Sequence, residues 1–258
     1  MNADGGVAAS SGPRPLRSLE YGFILAMASL VALAIAPLLY RSRLAGLSAL
    51  LLIPVALVFA LVAVILSVVG FVATRRRQNP RGMGKGIAGL LVALAVLMFP
   101  VVVAVNARGT APIHDVTTDT MDPPGFVAVL PIRAQTGALN PVEYGGSRVA
   151  ALQQRSFPDI KPLRLDVAPP AAFDRALAAV RAMNWELVAA DPSAGRIEAT
   201  DTTALFGFKD DVVVRVRPDG NGSRIDVRSL SRVGGGDIGT NAKRVRAFLR
   251  HLAETHAG

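Results

Sequence analysis

Residues 21–40 read YGFILAMASLVALAIAPLLY, an uncharged run whose length sets the class of the whole chain. The hydrocarbon core of a bilayer is about 30 Å thick and takes roughly 20 apolar residues of helix to cross. Two further runs follow, Leu44–Ala73 and Ile87–Val105, again without Asp, Glu, Lys, Arg or His. Together they predict transmembrane helices over about 21–40, 50–73 and 87–105, a membrane region of residues 1–107, and a second region of residues 108–258. Tyr21 and Tyr40 bracket the first run, as aromatic side chains do at the two headgroup levels. That run is longer than a signal-peptide core and ends in Leu38-Leu39-Tyr40-Arg41 with no small-x-small site, so retention as an anchor is expected. Pro37, Pro54 and Pro100 are compatible with spanning helices, because neighbouring helices re-satisfy the freed backbone groups.

Ionisable groups at membrane depth mark proton relays and ion paths, and their absence here predicts an anchor rather than a transporter. Ser29, Ser48 and Ser67 are expected to hydrogen-bond between helices, and Gly70 to permit close approach.

The net charge of +9 is unevenly distributed. Residues 1–107 hold nine Lys/Arg against Asp4 and Glu20, which leaves 19 basic and 17 acidic side chains for the remainder. The excess therefore belongs to the membrane loops and is no nucleic-acid signal. Positive charge in short loops is retained on the cytoplasmic side. Arg14, Arg17, Arg75, Arg76, Arg77, Arg81 and Lys85 fall on one side of the spans, and Arg41, Arg43 and Arg108 on the other. This predicts a cytoplasmic N-terminus and, after three spans, an extracytoplasmic C-terminal domain. Together with the Ala- and Arg-rich usage it predicts a bacterial inner-membrane protein with a periplasmic domain. The absence of cysteine excludes disulfides and thiolate metal sites.

Residues 108–162 show no sustained periodicity and carry Pro112, Pro123, Pro124, Pro131, Pro141 and Pro158, which predicts an extended arm with turns. Leu163, Leu165 and Val167 then alternate as in a half-buried strand. Pro169-Pro170 opens a helix with Phe173, Ala176, Leu177, Val180 and Met183 on one face, and Asn184 stops it. Trp185–Ala190 and Arg196–Thr200 read as strands joined by the turn residues of 191–195. In the hairpin DVVVRVRPDGNGSRIDVRS (211–229), a turn at Asp219-Gly220-Asn221-Gly222 sets Val216 opposite Ile225, Val214 opposite Val227 and Arg215 opposite Asp226. The same register brings Arg217 against Arg224. A last helix over about 240–255 has Val245, Phe248, Leu249 and Leu252 as its apolar stripe, with Lys243, Arg244, Arg246 and Arg250 covering the rest. The expectation is an α+β chain: three transmembrane helices, then a two-layer domain of antiparallel sheet packed with two helices.

Four stretches stand out: IHDVTTD (113–119) followed by Pro123-Pro124-Gly125-Phe126; FKDD (208–211); DVRSLSRVG (226–234); and DIGTNA (237–242). With Trp185 and the Ile197-Glu198-Ala199 step they resemble the family known as domain of unknown function 1499, over nearly all of residues 110–255. The run Gly234-Gly235-Gly236 departs modestly from that pattern. The resemblance implies a domain identity and no activity, cofactor or ligand set.

His114, Asp115 and Asp119, with Asp210 and Asp211, offer an imidazole and carboxylates of the kind divalent ions take, and they are the candidate catalytic or metal-binding groups. Their spacing matches no established ligand signature, and capping turns and pairing with arginines explains the same residues. Gly234–Gly239 running into a helix suggests a phosphate loop, yet Thr240-Asn241 stand where the lysine is needed and Asp237 would repel phosphate. Helix capping by Asp237 or Thr240 is the simpler reading. Arg228, Ser231, Arg232 and Asn241 beside Asp210, Asp211 and Asp237 form the ligand-binding candidates, an anion pocket for a lipid headgroup or peptide terminus. The competing reading pairs Arg228 and Arg232 internally with Asp210, Asp211 or Asp237. No G-x-S-x-G nucleophile elbow is present. The expectation is a non-catalytic binding or scaffold module at the membrane surface. No cofactor is implied, the lipid bilayer and an envelope protein or lipid are the expected partners, and no nucleic acid is expected. The alternative is a membrane-anchored hydrolase or metal-dependent enzyme.

Overall fold

Each apolar run forms a helix, and each helix extends past its run into the flanking polar residues. A computed structural model, which describes residues 16–78 and 80–254, shows α1 (Arg17–Arg41), α2 (Leu52–Arg77) and α3 (Met83–Asn106). All three are long and apolar enough to cross a membrane. Arg14, counted above in the charge asymmetry, and Thr255, at the expected end of the last helix, lie outside the described residues. The second run does not start as an α-helix: Gly46–Leu51 is a 3-10 segment leading into α2, after a turn in which Arg43 and Gly46 have φ of 61° and 50°.

The chain divides into two units, Met1–Val102 and Val103–Gly258. In the first, small residues line the seams between helices: Gly22, Ala26 and Ser29 of α1, Ala56, Ala60, Ala63, Ser67 and Gly70 of α2, and Gly86, Gly89 and Ala93 of α3. Their spacing of three and four residues keeps them on one face of each helix, where small side chains let the backbones approach closely and gain dispersion contacts. Leu19, fully buried, occupies the notch made by two glycines, since a Cβ on Gly70 or Gly86 would lie 2.3 or 2.6 Å from its Cδ2. The serines behave otherwise than expected. Ser29 Oγ donates to Ala26 O (2.7 Å) and Ser48 Oγ to Ala45 O (2.6 Å), both within their own segment, and Ser67 Oγ is buried without a partner. A hydroxyl at the end of a one-carbon stem reaches its own preceding turn more readily than a neighbouring helix.

The second unit is an α+β domain. In chain order it contains β1 (Asp115–Thr117), α4 (Leu130–Gln135), α5 (Gly146–Ser156), β2 (Leu163–Leu165), α6 (Pro169–Ala182), β3 (Glu186–Asp191), β4 (Arg196–Thr202), β5 (Lys209–Asp219), β6 (Gly222–Ser231) and α7 (Thr240–Glu254). The six strands form one antiparallel sheet in the order β1-β6-β5-β4-β3, with β2 pairing β6 on the same edge as β1. The β5–β6 hairpin has the register its alternation dictates, Val216 opposite Ile225, Val214 opposite Val227 and Arg215 opposite Asp226. Asp219 pairs with Gly222 across a two-residue turn whose first residue, Gly220, has φ of 59°, the left-handed value a primed hairpin turn needs there. Pro169 starts α6, and Asn184 at φ 55° ends it.

The pleat separates the two faces of the sheet. Ile197, Ala199, Val212, Val214, Val216, Ile225 and Val227 point to one side and pack with Phe173, Ala176 and Val180 of α6 and Val245, Phe248 and Leu252 of α7. Full burial of each large aliphatic or aromatic side chain there contributes about 1.5–3 kcal/mol. Trp185 stacks on Phe248 at 5.6 Å between ring centroids.

The segment 108–162 differs from the extended arm that its prolines suggest. It contributes β1, α4 and α5, and residues 118–145 lie over the second face of the sheet, where Phe126 and Val129 pack on Val213 and Leu230. Pro131 sits in the first turn of α4, where its missing N–H costs nothing. Gln153 of α5, 1% exposed, donates Nε2–H to Thr117 O (2.6 Å) and accepts from Thr117 N–H (2.9 Å), so a side-chain amide continues the ladder beyond β1.

Candidate functional site

The second face of the sheet is built largely from charged side chains, because β4, β5 and β6 place Glu198, Thr200, Asp211, Arg215, Asp226 and Arg228 at alternate positions opposite the apolar ones. All but Arg215 are buried, and each finds its partners within the domain.

Asp211 is completely buried and accepts from two arginines and a hydroxyl. Arg133 Nη1 lies 2.6 Å from its Oδ2, Arg232 Nη2 2.7 Å and Thr200 Oγ1 2.8 Å from its Oδ1. Arg133 also donates to Asn140 O (2.7 Å), and the backbone of Leu139 and Asn140 donates to Arg232 O at 2.8 and 3.0 Å. Arg228 forms a two-pronged pair with Asp115, Nε to Oδ1 at 2.9 Å and Nη2 to Oδ2 at 2.7 Å. Nη1 also donates to Pro124 O (3.2 Å) and Nη2 to Val142 O (2.6 Å), and the guanidinium lies 5.1 Å from the Phe126 ring and 5.7 Å from that of Tyr144. Burial pushes the Tyr144 hydroxyl up to about 12, the Asp115 charge acting in the same direction and Arg228 against it. Glu198, 1% exposed, accepts from Val127 N–H (2.9 Å) and Val129 N–H (3.0 Å) ahead of α4 and pairs with Arg196 at 3.2 Å.

A separate cluster lies at the hairpin. Asp226 is fully buried, and Arg215, Arg217 and Arg224 each approach it to 3.0 Å. Arg224 also pairs with Asp119 at 2.6 Å, and Arg217 with Asp122 at 2.9 Å. The juxtaposed Arg217 and Arg224 are thus accommodated by shared carboxylates. Arg215 and Arg217 hold the Asp122 carboxyl below its ordinary range.

On the helix side, Arg244 of α7 joins Asp210 (2.7 Å), Asp201 (2.7 Å), Asn241 Oδ1 (2.6 Å) and Ser229 Oγ (3.1 Å). Asn241 Nδ2 donates to His114 O (3.0 Å) and Ser231 Oγ (2.9 Å). Asp237 caps α7, accepting from Gly239 N–H (2.9 Å) and from Asn241 N–H. Desolvation raises its carboxyl above the ordinary carboxylate value, the nearby Asp210 adds to this, and the two backbone bonds and Arg244 oppose it.

Thus Asp211 and Arg232 come together, as do Ser231, Asn241 and Asp237, and Asp210 joins the latter set through Arg244. Arg228 pairs with Asp115 rather than with Asp210, Asp211 or Asp237. Asp115 and Asp119 belong to different clusters, and His114 enters the network through its carbonyl, its Nδ1 being buried without a partner. Among the described residues no three His, Asp or Glu side chains are grouped as a metal ion requires. Sequence reasoning missed Arg133, Glu198, Gln153 and Arg244. The last carried a signal, since Arg244 precedes Phe248 by four positions and so lies on the buried stripe of α7, not on the solvent face assigned to it above.

The geometry therefore defines an α+β domain with an internally paired polar face, preceded in sequence by three helices apolar enough to span a membrane. Residues 115–252 match the family described as Protein of unknown function (DUF1499), and the chain belongs to that family. No curated protein matches it.

Proposed function

We propose that the chain is a bacterial inner-membrane protein with its N-terminus in the cytoplasm, presenting residues 108–258 in the periplasm as a non-catalytic binding or scaffold module. The observation that carries the scaffold reading is the engagement of the acidic candidates by arginines of the same domain. Asp115, Asp119, Asp210 and Asp211 each lie within 2.7 Å of an arginine nitrogen. A guanidinium on a carboxylate neutralises it, and its positive charge disfavours both a metal cation and a proton at the same oxygens. Envelope proteins or lipids are the partners this placement offers. The orientation is supported by the exposed Arg75, Arg76 and Arg77 closing α2, against Arg41 and Arg43 at the opposite end of that helix pair.

Alkaline-phosphatase and green-fluorescent-protein fusions in a bacterial host test the orientation. Fusions at the C-terminus are expected to be phosphatase-active and non-fluorescent, and fusions in the loop after Arg77 the reverse. Active fluorescence from the C-terminal fusion overturns the periplasmic placement.

A further inference from the structure

We propose that the end of the sheet nearest the point where the chain enters the C-terminal domain dips into the headgroup layer of the bilayer, with the β4–β5 loop as its apolar tip. The inference rests on the reading that α1–α3 span a membrane. The chain pairs into the sheet at Asp115, nine residues after Asn106 ends α3, and at about 3.3–3.6 Å per residue this stretch reaches at most about 30 Å. Asp115 pairs with Leu230 at the end of β6, Asp210 pairs with Ser231 and Asp201 with Asp210, so the loop from β4 to β5 projects from the end at which the chain arrives. Strands lie about 4.8 Å apart, which sets this loop some 10–15 Å to the side of β1.

That end exposes apolar side chains that no packing within the domain requires. Leu205 is 60% exposed at the loop tip, Leu139 is 66% exposed and Ile238 36%. Leu139 belongs to the same end because its N–H donates to Arg232 O, and Arg232 N–H to Lys209 O at the start of β5. The tip is held rather than frayed. Thr203 N–H donates to Phe208 O (2.9 Å), Phe208 N–H to Thr203 Oγ1 (2.9 Å) and Gly207 N–H to Thr203 O (2.9 Å), while Phe206 stacks on Phe208 at 5.2 Å. The held loop gives Leu205 a fixed place at this end of the sheet, which it shares with Leu139 and Ile238. At the opposite end, the Gly220-Asn221 turn is flanked by Arg164–Asp219 and the arginines on Asp226, and the strongly exposed Met121 on the hairpin side adjoins the ion-paired Asp122. Exposed Arg108 precedes the sheet at this end, where a cation meets lipid phosphates, while Lys209 pairs with Glu186 at 3.2 Å. The occupant is the bilayer itself, because at most about 30 Å of chain separates this end from the close of α3.

The chain has no cysteine, so one introduced thiol is unique in the full-length protein. Leu205→Cys, Asn221→Cys and, as a position within a span, Leu61→Cys are labelled with an environment-sensitive fluorophore and reconstituted into phosphatidylcholine–phosphatidylglycerol vesicles with and without doxyl-labelled lipid. Leu139→Cys replaces Leu205→Cys should the latter lose the parent's circular dichroism. The expected result is a blue-shifted, doxyl-quenched label at 205 and 61, and an aqueous, unquenched label at 221. Quenching at 61 with an aqueous label at 205 overturns the proposal and leaves the membrane reading intact. A blue-shifted but unquenched label at 205 also overturns it, by showing that protein, a second copy included, covers the tip. A label at 61 that lipid does not quench removes the membrane reading and this proposal with it.

Discussion

Arg228 and Asp115, 113 positions apart in sequence, form a buried two-pronged ion pair at 2.9 and 2.7 Å that ties β6 to β1. The guanidinium lies within reach of two aromatic rings and also holds the carbonyls of Pro124 and Val142, so one side chain fastens the covering segment at both its ends. Arg228→Ala leaves a buried carboxylate uncompensated and is expected to destabilise the domain by about 3–5 kcal/mol. The double variant Arg228→Ala/Asp115→Ala should recover part of that loss, because no lone charge remains. Urea unfolding of the parent, both single variants and the double variant measures the coupling. Unchanged stability in Arg228→Ala would remove the network from the account of this face.

Glu198 acts on the same segment from the middle of the sheet. Its two oxygens accept from Val127 and Val129 N–H, donors that helix α4 cannot satisfy within itself. Glu198→Ala is expected to cost about 1–3 kcal/mol, the penalty for leaving buried donors unpaired. Limited proteolysis should then cut within 119–142 at protease concentrations that leave the parent intact. Cleavage appearing first elsewhere would mean that the segment is held mainly by Phe126 and Val129.

How much of this was legible beforehand depends on the range of the contacts. The hairpin register follows from Val212, Val214 and Val216 matched with Ile225 and Val227 around one glycine turn, all within 20 residues, and the structure has that register. Residues 118–145 were unreadable for the opposite reason. Their backbone groups bond to Glu198, Arg228 and Arg232, dozens of positions away, so no local period records them. The polar candidates stand out in the sequence, but sequence spacing gives no pairing between distant charges. Asp115 thus appeared beside His114 and Asp119 as a possible ligand set, whereas its partner is Arg228. The three apolar runs needed only length and the absence of charge to be recognised.

Helix packing in the first unit makes a sharper prediction about two neighbouring glycines. A Cβ on Gly89 would lie 2.8 Å from Phe23 Cα, a backbone atom that cannot swing aside, whereas a Cβ on Gly84 meets nothing within 4 Å. Gly89→Ala is therefore expected to push α1 and α3 apart and lower the detergent melting temperature. Gly84→Ala, in the first turn of α3, should leave it unchanged or raise it slightly, since alanine favours the helix by about 1 kcal/mol over glycine. Equal melting temperatures for the two variants would refute the close α1–α3 approach.

Asp159 and Arg246 supply a pH test with a defined sign. Hydrogen bonds from Arg246 at 2.5 and 2.6 Å hold the Asp159 carboxyl below its ordinary 3.8, with partial burial opposing them. A carboxyl whose folded value is depressed binds fewer protons in the folded state than in the unfolded one across the interval between the two values. Its contribution is therefore complete above the ordinary value and is lost as pH falls through the folded one. The pair is largely exposed, so the effect is screened by salt and small. Melting temperatures from pH 7 down to 2 should show the parent exceeding Asp159→Asn at neutral pH and the two curves converging in acid, with the gap narrowing in concentrated salt. Asp122, depressed by Arg215 and Arg217, follows the same rule, so some acid slope is expected to survive in the variant. Curves that diverge as pH falls would show that Asp159 is not held in its charged form by Arg246.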